Sequence, residues 1–252
     1  MIKHVEVVLG QDLQELLQGF PLWKLYRTKH LDAFDKSSEA MYHIMAKVIS
    51  DAKQKIKSNK KLRSKDEMSV MEKLIEKCGD KSKIPEVMAM DALLAGIDTT
   101  GNTSAFLFYH LGSHPDKQEI LYQEIKEKLG DNKLTPAILN ELKYLKAVQH
   151  ESQRLLPAIG GVSRLSQKDM VLKGYQIPKN TMIGVQMVPV MRSEKHFKNA
   201  DQFIPERWMR GCPEKHDAHP FAFIPFGHGA RMCIGRRFAE LEVQILVIET
   251  LR

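Results

Sequence analysis

Residues 226–235 read Phe-Gly-His-Gly-Ala-Arg-Met-Cys-Ile-Gly, and the rest of the chain can be interpreted outward from this glycine-rich loop. Its single cysteine, Cys233, comes just before a helix-forming run at residues 236–242. The loop's Gly227, Gly229 and Gly235 permit positive φ and let a flat ligand approach the backbone. Free N–H groups and the dipole at the start of a helix stabilise negative charge. The loop therefore favours a thiolate at Cys233.

A positively charged side chain accompanies the cysteine. Arg231 lies two residues before Cys233 and supplies a fixed cation that can bind an anionic group on the same ligand. A thiolate held in a glycine-rich loop suits oxygen-activating haem iron, because the sulfur donates electron density that favours O–O cleavage. The alternative interpretation is a buried structural cysteine in a turn.

The loop matches the pattern F-x-x-G-x-R-x-C-x-G at every fixed position. It resembles the haem-binding loop of the cytochrome P450 superfamily. The resemblance implies that haem b (iron protoporphyrin IX) is the cofactor and that Cys233 is the axial ligand of its iron. It also implies that Gly227, Gly235 and Arg231 contact the haem, with Phe226 packed beside the sulfur.

The composition is that of a soluble globular protein, since 43% of the 252 residues are hydrophobic and 27% are charged. The cysteines at positions 78, 212 and 233 are too few and too scattered for a disulfide framework. Much of the net charge of +7 comes from lysines between positions 53 and 65. No aromatic residues lie among them, so no nucleic-acid surface is predicted. A run of about 18 apolar residues, as a membrane span requires, does not occur.

The chain is much shorter than full-length members of the superfamily, whose haem loop lies near the C-terminus. We therefore expect it to be the C-terminal part of such a protein, lacking the front half and ending inside the helix after the cysteine. The first residues resemble neither a signal peptide nor a transit peptide, so any targeting segment would precede them. Membrane association is left open for the full-length protein.

Apolar residues at helical spacing predict several helices, and alternating residues predict a small amount of β-structure. The helices cover residues 34–57, 68–78, about 85–111, 118–129 and a segment from Leu139 onward, and two strands lie within 170–188. The predicted fold is mainly α with a small β portion, a truncated cytochrome P450 fold. It forms one haem-binding domain over 1–252, with peripheral helices in 1–84 and a haem core in 85–252.

The helix predicted over about 85–111 contains the stretch Ala-Gly-Ile-Asp-Thr-Thr-Gly at residues 95–101, which is poor helix material. A threonine hydroxyl can bond the carbonyl one turn back and open the helix locally, so a structural kink is one interpretation. The stretch also resembles the superfamily's distal-helix motif. That resemblance implies that Thr99 hydrogen-bonds the oxygen bound at the iron and that Asp98 helps to relay protons. Ala95 and Gly96 would leave room over the haem, with Ala95 among the substrate residues.

Glu151 and Arg154 lie three residues apart and therefore share a helix face. In isolation they form an ordinary exposed ion pair of little energetic worth. They also resemble the superfamily's E-x-x-R motif, and the Pro-Glu-Arg-Trp run at residues 205–208 resembles its P-E-R-F/W element. The resemblance implies that Glu151, Arg154 and Arg207 form a buried structural network that holds the cysteine loop against the core.

Two further assignments rest on position relative to the superfamily. Residues 157–162 correspond to a segment that passes beside the haem, so Ile159 and Val162 are candidates for the substrate wall. Arg164 is a candidate second partner for a haem propionate, alongside Arg231. A surface arginine is the alternative for Arg164.

A zinc site is conceivable from ligand type alone. Cys212, His216 and His219 precede the loop that contains Cys233. Their spacings fit no standard zinc finger, so we interpret the segment as a loop with solvated histidines.

Residues 235–242, Gly-Arg-Arg-Phe-Ala-Glu-Leu-Glu, are similar to the run that follows the cysteine in the mitochondrial, ferredoxin-dependent branch of the superfamily. Lys143, Lys146 and His150 lie three and four residues apart and share one helix face. This basic face resembles a docking surface for an acidic [2Fe–2S] ferredoxin, and Arg236 and Arg237 would extend it. Each lysine taken alone is more simply a solvated side chain.

These resemblances imply a haem-thiolate monooxygenase that inserts one atom of O₂ into a lipophilic substrate, often sterol-like in this branch. They imply a location on the matrix side of the mitochondrial inner membrane. One alternative is an incomplete and catalytically inert fragment of such an enzyme. The other is a microsomal-type member in the endoplasmic reticulum that uses a flavoprotein reductase.

Overall fold

The computed structural model describes residues 27–58, 68–79, 82–213 and 218–252, and most of them are helical. The eight α-helices of this described part are α1 Lys29–Ser58, α2 Val70–Cys78, α3 Ile84–Ser113, α4 Pro115–Lys128, α5 Pro136–Glu141, α6 Lys143–Leu155, α7 Val188–Met191 and α8 Arg236–Leu251. Three short 3₁₀ turns lie at Pro205–Trp208, Pro220–Ala222 and Gly229–Arg231. The predicted mainly α fold with a small β portion is confirmed.

Four short strands form two antiparallel pairs. The strands are β1 Gly161–Leu165, β2 Met170–Leu172, β3 Tyr175–Ile177 and β4 Met182–Gln186. Strand β1 pairs with β4, with Val162 opposite Val185, while β2 pairs with β3 across a turn at Lys173 and Gly174. The prediction of two strands in 170–188 was wrong in number, since that region holds three, and it missed β1 altogether.

The chain forms two compact units, Met1–Asp98 and Thr99–Arg252, with α3 contributing residues to both. In the first unit, α1 buries Met41, Met45 and Ile49 on one face. Ile44 and Val48, which share the same helical spacing in the sequence, are exposed. Met41 lies in an apolar cluster with the half-buried side chains of Phe34, Met90, Leu94 and Ile97.

Helix α2 ends where its sequence predicts, before Gly79, but it begins at Val70, two residues later than predicted. The Ser69 side chain accepts a hydrogen bond from Glu72 N at 3.2 Å, and the Glu72 carboxylate accepts one from Ser69 N at 2.7 Å. This capping box satisfies two backbone donors that the first turn of a helix leaves free. Gly79 ends the helix with a φ of 83°, a conformation that glycine adopts at low cost.

The second unit is built around a core shared by the C-terminal part of α3 with α4, α6 and α8. Its fully or nearly fully buried side chains include Leu107, Leu111, Leu121, Ile125, Leu145, Val148, Val243 and Val247. Leu142, predicted to lie in the middle of one helix, instead separates α5 from α6 and is itself buried. The core places α6 against α4 and α8, and α6 carries the charged residues of the candidate site.

Helix α3 runs without interruption from Ile84 to Ser113, through the stretch that the sequence suggested as a kink. Hydroxyl groups there bond carbonyls one turn back: Thr103 Oγ1 donates to Thr99 O at 2.7 Å and Ser104 Oγ to Thr100 O at 2.9 Å. These bonds add to the helical ladder and leave it closed.

None of the described helices combines the length and apolar character that crossing a membrane requires.

Candidate functional site

The cysteine loop is closed by its own backbone hydrogen bonds. Cys233 N donates to Phe226 O at 2.9 Å, and Met232 N donates to Gly229 O at 3.1 Å across the 3₁₀ turn. Gly227 and Gly229 have φ values of 72° and 79°, so both occupy the region that side chains disfavour. The loop therefore folds back on itself and brings the two ends of residues 226–233 together.

Gly235 departs from the expectation of positive φ, because its φ is −85° and it caps the start of α8. A Cβ at this position would lie 3.9 Å from Cys233 Sγ, which is an ordinary contact. Residues other than glycine can therefore adopt this conformation. What Gly235 shows is that the Cys233 sulfur lies close to the N-cap residue of the helix.

Cys233 presents an exposed free thiol two residues before the N-cap of α8. The thiol thus precedes the first turn of the 16-residue helix, whose backbone N–H groups lack partners within the helix. Arg231 is exposed at the end of the 3₁₀ turn. Ile234 and Phe238, close in sequence to the thiol, are 90% and 60% exposed.

These features fit haem. A soft sulfur donor suits its iron, a guanidinium suits a propionate, and exposed apolar side chains suit the faces of a porphyrin. Phe226, predicted to pack beside the sulfur, also contacts a side chain of α8. The Arg236 guanidinium lies 5.4 Å from the Phe226 ring centroid, and its Nε donates to Glu240 Oε1 at 2.8 Å. Phe226 therefore packs against the first turn of α8.

The most buried charged group of the described chain is centred on Glu151, together with Arg154, Arg207 and Trp208, which we call the Glu151 cluster. Its carboxylate and both guanidinium groups have no exposed side-chain surface. Arg154 Nε and Nη2 donate to the two carboxylate oxygens at 2.9 and 2.8 Å, a bidentate pair. Arg207 Nε and Trp208 Nε1 donate to the same carboxylate, each at 2.9 Å.

The remaining donors of the Glu151 cluster bind the backbone of the loop that leads toward the cysteine. Arg154 Nη1 donates to the carbonyls of Met191 and Ala200 at 2.9 and 2.6 Å. Arg207 Nη1 donates to Lys198 O at 2.8 Å. Burial of charge is costly unless such partners satisfy it. The cluster thereby fixes residues 191–208 to α6.

Sequence reasoning missed Trp208 as a member of the Glu151 cluster. Trp208 also belongs to an apolar cluster with Phe197, Ala200 and Ala222, and its ring centroid lies 4.5 Å from that of Phe223. The signal was present, because Trp208 directly follows Arg207 in the motif. An indole in a largely apolar run needs a hydrogen-bond acceptor when it is buried.

The distal-motif residues lie in the middle of α3. Ala95 and Gly96 are exposed, whereas Asp98 and Thr99 are half-buried. Of the candidate substrate residues, Ile159 is 48% exposed and Val162 is half-buried in β1.

Arg164 is exposed in β1, and its Nη1 donates to the adjacent Ser163 O at 2.8 Å.

The residues proposed for partner docking differ in their surroundings. Lys143 and Arg237 are exposed, and Lys146 Nζ donates to Asn140 O at 3.3 Å. His150, expected on the basic face, instead packs edge-on against Trp208 at a ring-centroid distance of 5.2 Å. Its imidazole therefore supports the loop that carries residue 208.

No group of three or more potential ligands that could hold a metal ion occurs among residues 27–58, 68–79, 82–213 and 218–252. His216 of the conceivable zinc site lies outside these residues. His219 Nδ1 accepts a hydrogen bond from Phe221 N at 3.2 Å and begins a 3₁₀ turn. In the described residues on either side of positions 214–217, Cys212 and His219 lie outside any helix or strand.

A buried histidine of α3 should make stability depend on pH. Burial, with a smaller contribution from His114, lowers the pKa of His110 to about 4. Between pH 6.5 and about 4 the unfolded chain binds a proton that the folded chain does not, so stability is lost as the pH falls through this window. We expect a loss on the order of 3 kcal/mol.

The test is urea unfolding at several pH values across this window. His110→Phe, which keeps a ring stacked on Phe203, should flatten the dependence. His43→Gln, at an exposed position, should leave it unchanged. If the unfolding free energy depends on pH equally steeply in wild type and His110→Phe, His110 is not the residue responsible.

Comparison with known proteins identifies the family of the chain. The family model described as Cytochrome P450 matches residues 1–252, and members of that family are haem-binding monooxygenases. The chain is 35% identical over 247 residues to cytochrome P450 CYP12A2 of Musca domestica, which covers 92% of this chain and 45% of that protein.

Two Drosophila melanogaster proteins whose names include the word mitochondrial are similar to the same degree. Probable cytochrome P450 12b2 is 34% identical over 262 residues, covering 100% of this chain and 48% of the relative. Cytochrome P450 302a1 is 34% identical over 245 residues, covering 93% and 46%. The chain thus spans a little under half the length of these curated relatives. With the family model matched over residues 1–252, the chain belongs to the cytochrome P450 family.

Proposed function

We propose that this chain forms the haem-holding part of a monooxygenase acting on a lipophilic substrate. The overall reaction consumes substrate, O₂, two electrons and two protons, and yields hydroxylated substrate and water. A bound thiolate-ligated haem supplies the activation of O₂ and the transfer of one oxygen atom. The observation that carries the proposal is the exposed Cys233 thiol in a closed glycine loop at the start of α8.

In this proposal Cys233 would bind the iron through its sulfur, a soft donor that haem iron accepts. Arg231 binds a haem propionate, with Arg164 as the candidate second partner. The Glu151 cluster keeps the loop in place by fixing its approach to α6, a structural role. Residues 85–252 then constitute the haem core, and the preceding residues are peripheral.

Asp98 and Thr99 are proposed to handle the protons. The Asp98 carboxylate would take up a proton from solvent, and the Thr99 hydroxyl would donate a hydrogen bond to the oxygen substrate and pass a proton onward from its Oγ1. Their half-buried positions on α3 support this role, because proton delivery into a pocket requires limited contact with bulk water. Ala95, Ile159 and Val162 are proposed to contact the apolar substrate, which is sterol-like in this proposal.

A ferredoxin is the proposed electron donor, and the matrix side of the mitochondrial inner membrane is the proposed location. The mitochondrial relatives support this choice over a microsomal member with a flavoprotein reductase. Exposed Lys143 and Arg237, together with Lys146 and Arg236, would attract an acidic iron–sulfur protein. Complementary charge of this kind mainly accelerates encounter and makes the rate sensitive to salt.

Reversing one of these charges should weaken ferredoxin coupling. We expect Lys146→Glu to lower the ferredoxin-dependent turnover rate by about tenfold at low salt, because an encounter between charged surfaces loses one attraction and gains one repulsion. The difference from wild type should shrink at high salt. Lys168→Glu, at an exposed position before β2, is the matched control. Equal loss with a flavoprotein reductase would contradict a ferredoxin site at Lys146.

The proposed function is tested by adding haem to the purified chain and recording the spectrum of its ferrous–CO complex. A red-shifted thiolate Soret band and oxygenation of a lipophilic substrate would support it. Absence of any haem binding would favour the alternative of an inert fragment.

A further inference from the structure

A second polar cluster lies beside the Glu151 cluster and uses the residue next to Arg207. Glu206 Oε1 accepts a hydrogen bond from Tyr144 Oη at 2.8 Å and from Lys117 Nζ at 3.0 Å. Lys117 belongs to α4, Tyr144 to α6 and Glu206 to the 3₁₀ turn Pro205–Trp208. We call these three residues the Glu206 cluster. It joins two helices of the core to the turn that holds Arg207.

The protonation states required by these hydrogen bonds are maintained. Burial acts to raise the pKa of Glu206, but hydrogen bonds from its own backbone, from Tyr144 and from Lys117 outweigh it and lower this pKa. Burial, followed by the bond to Glu206, raises the pKa of Tyr144. Near neutral pH the carboxylate is therefore ionised and the phenol keeps the proton that it donates.

The position of Tyr144 is itself fixed by α4. The two carboxylate oxygens of Glu124 accept hydrogen bonds from Tyr144 N at 2.8 Å and from Leu145 N at 3.0 Å. These are backbone donors of the first turn of α6, which begins without a side-chain cap from its own N-cap residue. Helix α4 thus supplies Glu124 to hold the start of α6 and Lys117 to hold Glu206.

The turn that Glu206 occupies leads physically to the cysteine loop. Trp208, two residues later, has its ring 4.5 Å from that of Phe223. Phe223 lies three residues before Phe226, whose carbonyl accepts the hydrogen bond from Cys233 N at 2.9 Å. A shift of the turn would therefore displace the segment on which the loop closes.

We propose that Glu206, Tyr144 and Lys117 are positioning residues for the Cys233 loop. They hold Glu206, whereas the Glu151 cluster holds the next two residues of the same turn. The two clusters bind adjacent residues of one short turn, so together they fix its rotation as well as its location. The role of these residues in the haem-loaded chain rests on the proposed function, whereas their effect on the chain without haem does not.

The first experiment measures hydrogen exchange on the full 252-residue chain without added haem. Tyr144→Phe removes one donor, Lys117→Met removes the other, and Lys117→Arg retains a cation. We expect Tyr144→Phe and Lys117→Met to accelerate exchange at residues 205–209 and 222–233 by about tenfold, because a hydrogen bond to a charged group is lost. Lys117→Arg should restore most of the protection.

The matched control is Ile125→Val, a cavity-forming change on the buried face of α4 in the main core. It should lower thermal stability comparably without a selective effect on these two segments. Tyr144→Phe combined with Glu206→Leu should be no worse than Glu206→Leu alone, since Glu206→Leu already removes the oxygen that accepts the Tyr144 hydrogen bond. Additive effects, or acceleration spread evenly over the chain, would overturn the proposal.

The second experiment adds haem and records the ferrous–CO spectrum. Glu206→Gln and Tyr144→Phe should raise the fraction of the shorter-wavelength species that lacks the thiolate bond, whereas Ile125→Val should not. An unchanged fraction in haem-loaded variants would overturn the proposed effect on the loop. If the wild-type chain binds no haem, the proposed function fails while hydrogen exchange still decides the role of the Glu206 cluster.

Discussion

Replacing Cys233 with serine is expected to abolish the red-shifted Soret band of the ferrous–CO complex completely. A thiolate is a soft donor that binds haem iron, whereas the serine hydroxyl is a hard donor that stays protonated near neutral pH. The substitution changes one exposed atom in a loop closed by backbone hydrogen bonds. The folded chain should therefore survive with its iron chemistry changed.

The control for this experiment is Cys212→Ser, a half-buried cysteine in the preceding loop. It should leave the band at wild-type intensity. Circular dichroism of both variants would show that the helices remain. A thiolate band that persists in Cys233→Ser and disappears in Cys212→Ser would contradict the assignment of the iron ligand.

Replacing Arg154 with alanine is expected to cost about 3–5 kcal/mol of unfolding free energy. The variant loses a bidentate bond to Glu151 and bonds to the carbonyls of Met191 and Ala200. It leaves a fully buried carboxylate with fewer cationic partners. Because a domain of this size has about 5–15 kcal/mol of stability in total, most of the margin would be lost.

Urea unfolding followed by circular dichroism measures this loss. Arg154→Lys is the second variant and should rescue little, because an ammonium group cannot reproduce the planar bidentate geometry. The matched control is Arg192→Ala, which breaks an exposed pair with Asp201 at 2.7 Å and should cost about 0–1 kcal/mol. A cost for Arg154→Ala no larger than that of Arg192→Ala would contradict the structural role of the cluster.

Features set by neighbouring residues could be predicted from the sequence. The stop at Gly79 and the long helix beginning near Pro85 both depend on local preferences. The capping box of Ser69 and Glu72 is equally local, although the predicted helix began at residue 68 and missed it. The positive φ of Gly227 is of the same kind. In each case the residues that determine the conformation lie within a few positions of one another.

Features set by distant partners could not be read in this way. Strand β1 contains Ser163 and Arg164 and gains its conformation by pairing with β4, so its own sequence carries a weak strand signal. The break at Leu142 arises because the backbone N–H groups of residues 144 and 145 bind Glu124 on α4. Both depend on tertiary packing, which local periodicity does not report.

The candidate site shows the same division. The cysteine loop is a contiguous motif, and Glu151 and Arg154 share one turn of α6. Arg207 could be assigned to them only through resemblance to a family, since it lies 53 positions after Arg154. The partners of Glu206 lie on two different helices, and no spacing in the sequence connects them.

X-ray absorption at the iron edge of the haem-loaded chain tests the central claim most directly, because it detects the atoms bound to iron whatever the activity. The account predicts one sulfur neighbour in the wild-type chain and none in Cys233→Ser. Iron surrounded only by nitrogen and oxygen in the wild-type chain would contradict it.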